Sequence, residues 1–220
     1  MEIATILSGA GAVVAVTVTS VGVISIPKSA ESPGARRTAM SEEQVVRNCA
    51  PTLAGLKTGN LFACPYENRE DLLDFLRSLN RRLGKKGVRA VPLRIRQDKA
   101  LIYLYRPARL EEDLSRASCE ALLSEFGYNC RGGSRCLTKL ARRRKQQGDF
   151  PHEIGLFLSY PPEDVKGFLE HRPCKCVGCW KVYENEEAAK KTFAKYKACT
   201  RVYCRQLASG IDIERLTVAG

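Results

Sequence analysis

Two apolar runs that follow an amphipathic helix most strongly limit what this chain can fold into. The runs "VRAVPLRI" and "ALIYLYRP" have strand composition and are separated only by "RQDK", which predicts an antiparallel hairpin. Pro92 places the first strand at a sheet edge, because proline has no amide to donate to a neighbouring strand. Tyr103 and Tyr105 then share one face of the second strand. The preceding segment 69–83 has leucines at helical spacing and ends at Gly84.

Helical patterns occupy most of the chain outside this hairpin. Ser41 followed by Glu42 and Glu43 is typical of a helix start, and Pro51 interrupts the helix that it opens. That helix is predicted over 41–58. Further helices are predicted at 109–126 and 134–146, and a long C-terminal helix at 185–208. Because helices outnumber strands and the strands are neighbours, the fold class is α+β, with helices packed on a small antiparallel sheet. Residues 40–220 are predicted to form a single globular domain.

The first 39 residues differ in composition from the rest. They are apolar but rich in Gly, Ser and Thr, and they end in the loop-like "PKSAESPGARRTA". Residues 1–39 are therefore predicted to be disordered or absent from the natural protein, with translation starting at Met40. Membrane attachment is not expected unless residues 3–26 form a real anchor, since that stretch has the length of a bilayer span.

The charge of the chain points to an acidic partner. The 220 residues carry a formal net charge of +12, and strongly basic proteins attract nucleic acids or acidic proteins. The basic residues form groups at Arg81–Arg89, at Arg142–Lys145 and along the last helix. The sequence therefore favours a cytoplasmic binding or regulatory module, although a solvated basic surface explains the same charge.

A thiol hydrolase or amidase-like enzyme is the first alternative function. Cys49 stands near a helix terminus, and His152 follows in the chain order that a nucleophile and its general base have in papain-like peptidases. No third residue that would orient His152 is evident. Cys49 as a small buried apolar residue is the competing interpretation, since most free cysteines are buried.

Cysteines near the C-terminus raise the hypothesis of a metal site. "PCKCVGCW" places Cys176 and Cys179 at the Cys-x2-Cys spacing with which two thiolates hold one tetrahedral ion. Together with Cys174 and Cys199 they are the candidate ligands of Zn²⁺ or an Fe–S cluster. Cys204 lies five residues after Cys199, which turns the two to different faces of a helix. Without a secretion signal, we expect reduced thiols rather than disulfides.

The segment 149–172 has the apolar spacing of a helix-turn-helix. Its turn is "SYP", and Pro162 begins the second helix. In a nucleic-acid binder the first turn of that second helix faces the nucleic acid. Glu163 and Asp164 stand there and would repel phosphate, so a helical hairpin that packs into the core is favoured over a nucleic-acid reader.

Three stretches give the chain a resemblance to a known family. "CAPTLAGLKTG", "FPHEIGLFLSYP" and "CWKVY" occur in this order, and the chain from about Ser41 to Gly220 resembles the uncharacterised bacterial domain-of-unknown-function family thirty-seven ninety-three. The resemblance implies a bacterial, cytoplasmic protein, most often of anaerobic Firmicutes. It implies no activity, substrate or cofactor.

Overall fold

A computed structural model describes residues 40–129, 132–146 and 151–220 of the chain. The predictions for residues 1–39 lie outside the described residues. The helices within them are α1 (Glu42–Leu53), α2 (Arg69–Gly84), α3 (Pro107–Leu114), α4 (Ala117–Glu125), α5 (Gly133–Gln146), α6 (Ile154–Phe157), α7 (Pro162–Leu169), α8 (Glu186–Ala208) and α9 (Ile213–Leu216). The strands are β1 (Gly59–Pro65), β2 (Arg89–Ile95), β3 (Lys99–Tyr105), β4 (Cys176–Val177) and β5 (Lys181–Val182).

The main sheet contains the predicted hairpin and one strand that the sequence did not indicate. Its order is β1-β3-β2, and both pairs are antiparallel. β2 is an edge strand, as Pro92 requires, and the register shifts between Pro92 and Arg94. β1 begins at Gly59, where the ring of Tyr103 lies so close that a Cβ atom would approach its hydroxyl to 2.6 Å. Glycine at this position therefore lets β1 pair with the central strand.

The sheet separates two hydrophobic cores. Ile102 and Leu104 point to one face, where the apolar sides of α1, α2 and α9 cover them. Tyr103 and Tyr105 point to the other face and stack on each other, with ring centroids 4.8 Å apart. Helices α3 to α7 cover that second face. The alternating side chains of β3 thus explain why helices pack on both sides.

The predicted helices agree with the structure except at two places. The helix predicted over 41–58 ends at Leu53, and Pro51 lies inside it without interrupting it. Ser41 caps α1 by accepting a hydrogen bond from the Gln44 amide, and the helix continues through Pro51 to Leu53. The predicted helix at 109–126 is wrong in one respect, because it is divided at Ser115 and Arg116 into α3 and α4. The long C-terminal helix is confirmed as α8, and the α+β fold class is confirmed. Within the described ranges, no helix is both long enough and apolar enough to cross a membrane.

Arg106, a buried residue that is 3% exposed, joins three parts of the chain through its guanidinium. It donates to the carbonyls of Thr52 (2.7 Å) and Leu53 (2.8 Å) at the end of α1, and to that of Val218 (2.7 Å) in the C-terminal tail. A longer bond of 3.4 Å reaches Lys86. The last carbonyls of a helix need donors from outside it, and Arg106 supplies them where the helix dipole is negative.

We expect Arg106→Met to lower the free energy of unfolding by about 3 kcal/mol or more, because three carbonyls lose a charged donor and only those of Thr52 and Leu53 keep a backbone amide. The free energy of unfolding of Arg106→Lys should lie between those of the natural protein and Arg106→Met, since an ammonium group cannot form the paired hydrogen bonds of the planar guanidinium. Urea unfolding followed by circular dichroism measures the change. Arg201→Met, on the exposed side of α8, is the matched control, and equal losses in the two Met variants would contradict this role.

Candidate functional site

The structure does not bring the predicted catalytic residues Cys49 and His152 into one site. Cys49 is fully buried in the core on the α1 side of the sheet, and burial raises the pKa of its thiol. His152 precedes α6, whose residues pack in the core on the opposite side. Its ring makes an edge contact with Phe168, with centroids 5.1 Å apart. A thiol that is buried and protonated is a poor nucleophile.

Three of the four predicted metal ligands lie on one small hairpin. Cys174, Cys176 and Cys179 are free thiols on or beside the β4–β5 hairpin, and Cys199 is a free thiol on α8. In the ranges that the structure describes, no three His, Cys, Asp or Glu side chains are grouped so as to hold a metal ion. The metal site therefore stays a prediction. Elsewhere Cys136 is disulfide-bonded, so the expectation of reduced thiols is wrong at that residue.

The helix-turn-helix segment is built into the core. α6 is only four residues long, and all of them are buried. In the first turn of α7 the buried carboxylate of Asp164 accepts hydrogen bonds from the indole of Trp180 and the amide of Tyr183, both at 2.7 Å. This turn is thus held against the β4–β5 hairpin, and its exposed carboxylate, Glu163, disfavours contact with phosphate.

Lys57 is a buried cation that sequence reasoning missed. Its side chain is 5% exposed, and lysine is almost never buried to this degree without a partner. The amine lies 5.3 Å from the ring centroid of Tyr160 and 5.8 Å from that of Tyr196. Among the described residues it forms neither a hydrogen bond nor an ion pair. We call Lys57, Tyr160, Tyr196 and the nearby Cys179 the lysine cage.

The loop that carries Lys57 is fixed on both sides. After α1, Gly55 takes a left-handed backbone conformation with φ +72°, and the amides of Leu56 and Lys57 both donate to the Pro51 carbonyl. The next residue, Thr58, donates its amide to Ser159 Oγ at 2.8 Å and its hydroxyl to Asp113. These contacts turn the Lys57 side chain toward the tyrosine rings.

Ser159 and the β4–β5 hairpin complete the surroundings of the lysine cage. Ser159 has φ +59°, a conformation that costs energy for any residue other than glycine. Tyr160 donates its hydroxyl to the Cys179 carbonyl at 3.1 Å, and its ring stacks on Trp180. The three stretches that carry the family resemblance therefore meet at this place, one supplying Lys57, one Tyr160 and one Cys179.

Burial is the main influence on the Lys57 amine. Desolvation lowers its pKa from 10.5 to about 8, and the nearby thiols of Cys179 and Cys49 only partly offset this. Burial likewise raises the pKa of Tyr196 to about 12, with Cys179 and Asp113 adding to the rise. Burial raises the pKa of Tyr160 as well, so both tyrosines stay neutral at physiological pH. A substantial fraction of the amine loses its proton near pH 8.

A second site lies on one face of α5. Arg135, Thr138, Lys139, Arg142 and Arg143 line a cavity of about 530 Å³. These positions recur at helical spacing, so they project from one side of the helix. The sequence of α5 contains no acidic residue. We call this feature the α5 cavity.

Two cations of the α5 cavity are held by neighbouring groups, and two are exposed and unpaired within the described ranges. Arg143 lies 3.0 Å from the buried carboxylate of Glu153 and donates to the Phe126 carbonyl, which fixes its position. Lys139 lies over the ring of Tyr128. Arg135 and Arg142 are exposed and form no ion pair within the described ranges. Arg142 belongs to the basic run at Arg142–Lys145 and Arg135 precedes it, so α5 carries two charges that no carboxylate of the described structure neutralises.

Comparison with known proteins identifies a family and nothing beyond it. A family model described as "Protein of unknown function (DUF3793)" matches residues 45–217. No curated protein and no solved structure matches the chain. The family match confirms the resemblance recognised from the three stretches.

The lowered pKa of Lys57 predicts how stability depends on pH. The Lys57 amine binds its proton more tightly in the unfolded chain than in the folded chain. Burial of the charged amine therefore lowers the free energy of unfolding by its full amount below pH 8, and this loss disappears as the pH rises to 10.5. Lys57→Met, which buries no charge, should therefore gain stability relative to the natural protein at pH 7. We expect the difference between the two to change by about 3 kcal/mol between pH 7 and pH 10.5.

Urea unfolding of both proteins across this pH range measures the effect. Lys85→Met, which replaces an exposed lysine at the end of α2, is the matched control and should show no such change. A constant difference between Lys57→Met and the natural protein would mean that Lys57 is fully charged and compensated in the folded state.

Proposed function

We propose that this chain, which belongs to the DUF3793 family of proteins of unknown function, is a cytoplasmic binding module that receives a phosphate-bearing ligand in the α5 cavity. The observation that carries the proposal is the lining of that cavity. Four cations and a threonine hydroxyl line one side of an open pocket of about 530 Å³, and no carboxylate is among the lining residues that the structure describes. Ligand pockets for small molecules commonly have volumes of roughly 300–1,000 Å³.

The arrangement of the cations suits phosphate more than a single carboxylate. Arg135, Lys139 and Arg142 are spaced along about two turns of helix, so they meet a ligand whose negative charges are spread over several groups. Guanidinium groups form paired hydrogen bonds with phosphate oxygens. Lys139 and Arg143 are already held by neighbouring groups, which lowers the entropy lost when a ligand binds.

The net charge of the chain supports the same conclusion. A protein with a formal charge of +12 attracts anions from a distance and raises their local concentration. The cavity then supplies what the net charge alone lacks, which is a defined place where the anion binds. A nucleotide or another small phosphorylated molecule fits this volume, whereas a nucleic acid or an acidic protein would bind across a wider surface.

We expect inorganic triphosphate to bind the natural protein and to bind Arg135→Gln/Arg142→Gln at least tenfold more weakly, because that variant removes two exposed charges. Isothermal titration calorimetry in low salt measures both affinities. Arg201→Gln/Arg205→Gln is the matched control, since it removes two exposed charges from α8 and should weaken binding less than threefold.

Three results would contradict the proposal. Equal weakening by the two double variants would mean that only the overall charge attracts the anion. Binding of polyglutamate as tightly as triphosphate would exclude selectivity for phosphate. A single-stranded oligonucleotide that binds more tightly than triphosphate would instead identify a nucleic-acid partner.

The cysteine-held metal site is a separate proposal with its own test. Three free thiols within "CKCVGC" favour it. Protein that starts at Met40 and is purified without oxygen should contain stoichiometric zinc, or iron with sulfide, and Cys176→Ser/Cys179→Ser should lose it. Metal and sulfide analysis decides this, and folded natural protein without metal would exclude the site.

A further inference from the structure

The surroundings of the Lys57 amine in the lysine cage differ from those of an exposed lysine. Ring faces of Tyr160 and Tyr196 lie within 5.8 Å of the amine, and only 5% of the side chain is exposed. Aromatic faces attract cations and repel anions. The cage therefore accepts a positively charged group at this position and rejects a phosphate or carboxylate ligand.

Among the residues that the structure describes, no carboxylate forms an ion pair with the amine. Asp113, which is on the same side of the loop, accepts the hydroxyl of Thr58 instead. Lysines that are desolvated in apolar surroundings act as nucleophiles toward carbonyl compounds. The Lys57 amine thus combines the two properties that an imine needs, an uncompensated nitrogen and an environment that stabilises the cationic product.

We infer that Lys57 is a covalent binding site for small neutral aldehydes, which its amine captures as a reversible imine. Because Lys57 is only 5% exposed, we expect only aldehydes of a few carbon atoms to reach its amine. The repulsion of anions by the ring faces limits it to neutral molecules. This site uses none of the residues that line the α5 cavity, so the two proposals succeed or fail independently.

The chemistry needs only the amine and the aldehyde. The nitrogen lone pair attacks the carbonyl carbon, the carbonyl oxygen takes up a proton, and a carbinolamine forms. Loss of water then gives the imine, so that one amine and one aldehyde yield one imine and one water molecule. When protonated, the imine carries the positive charge that the ammonium had, and this charge lies between the same two rings.

Burial also increases the unprotonated fraction of the amine, which is the form that acts as a nucleophile. With a pKa of about 8 instead of 10.5, its neutral fraction at pH 7 is about 300 times that of an ordinary lysine. The many other lysines of the chain serve as internal references. Lys195 and Lys197 are suitable, because both are exposed on α8.

The test treats the full native chain at pH 7 with low acetaldehyde and cyanoborohydride, which reduces each imine to a stable ethylamine. Peptide mass spectrometry then gives the rate at every lysine. We expect Lys57 to react at least tenfold faster than Lys195 and Lys197, and its rate to level off above pH 8 while theirs continue to rise. In 8 M urea the three rates should become equal.

Two variants test whether the rings matter. Tyr196→Phe keeps the ring and should retain fast capture, whereas Tyr196→Leu removes it and should slow capture at least fivefold. If Lys57 in the native natural protein reacts no faster than Lys195 and Lys197, it is a closed structural cation and the inference is wrong. That comparison needs no variant, so it holds even where Tyr196→Leu fails to fold.

Discussion

The guanidinium of Arg106 is the constraint on which the rest of the structure depends. It closes the C-terminal end of α1, holds the C-terminal tail through Val218, and its own backbone amide donates to the Thr58 carbonyl at 2.9 Å. The loop between α1 and β1 therefore has little freedom. Because this loop must turn back at Gly55 to begin β1, the Lys57 side chain is directed into the protein instead of into solvent.

Much of the fold could be predicted from local patterns. The Ser41 cap, the leucine face of α2 and the hairpin around "RQDK" depend on residues that are close in sequence, and each is present in the structure. β1 was missed because "GNLFACP" begins with glycine and ends with proline, two residues that are uncommon in strands. Its place in the sheet depends on the fit of Gly59 against Tyr103, a contact between residues far apart in the chain.

The lysine cage could not be predicted for the same physical reason. In "AGLKTG" a lysine beside two glycines has the composition of an exposed loop. Its burial follows from tertiary contacts such as Thr58 with Ser159, which are 101 residues apart. For Cys49 the sequence did offer the correct alternative, a small apolar residue in the core. Spacing alone did not show which of the cysteines are buried and which line the β4–β5 hairpin.

The protein holds positive charge in two physically different ways, and the two proposals rest on this difference. In the α5 cavity Arg135 and Arg142 face water, so their attraction for a ligand is long-ranged and salt screens it. In the lysine cage a single amine is removed from water between ring faces, where dissolved ions screen interactions much less. The first environment stabilises a ligand that brings negative charge. The second favours a ligand that leaves the positive charge in place, so the two proposals assign an anion to the first site and a neutral carbonyl compound to the second.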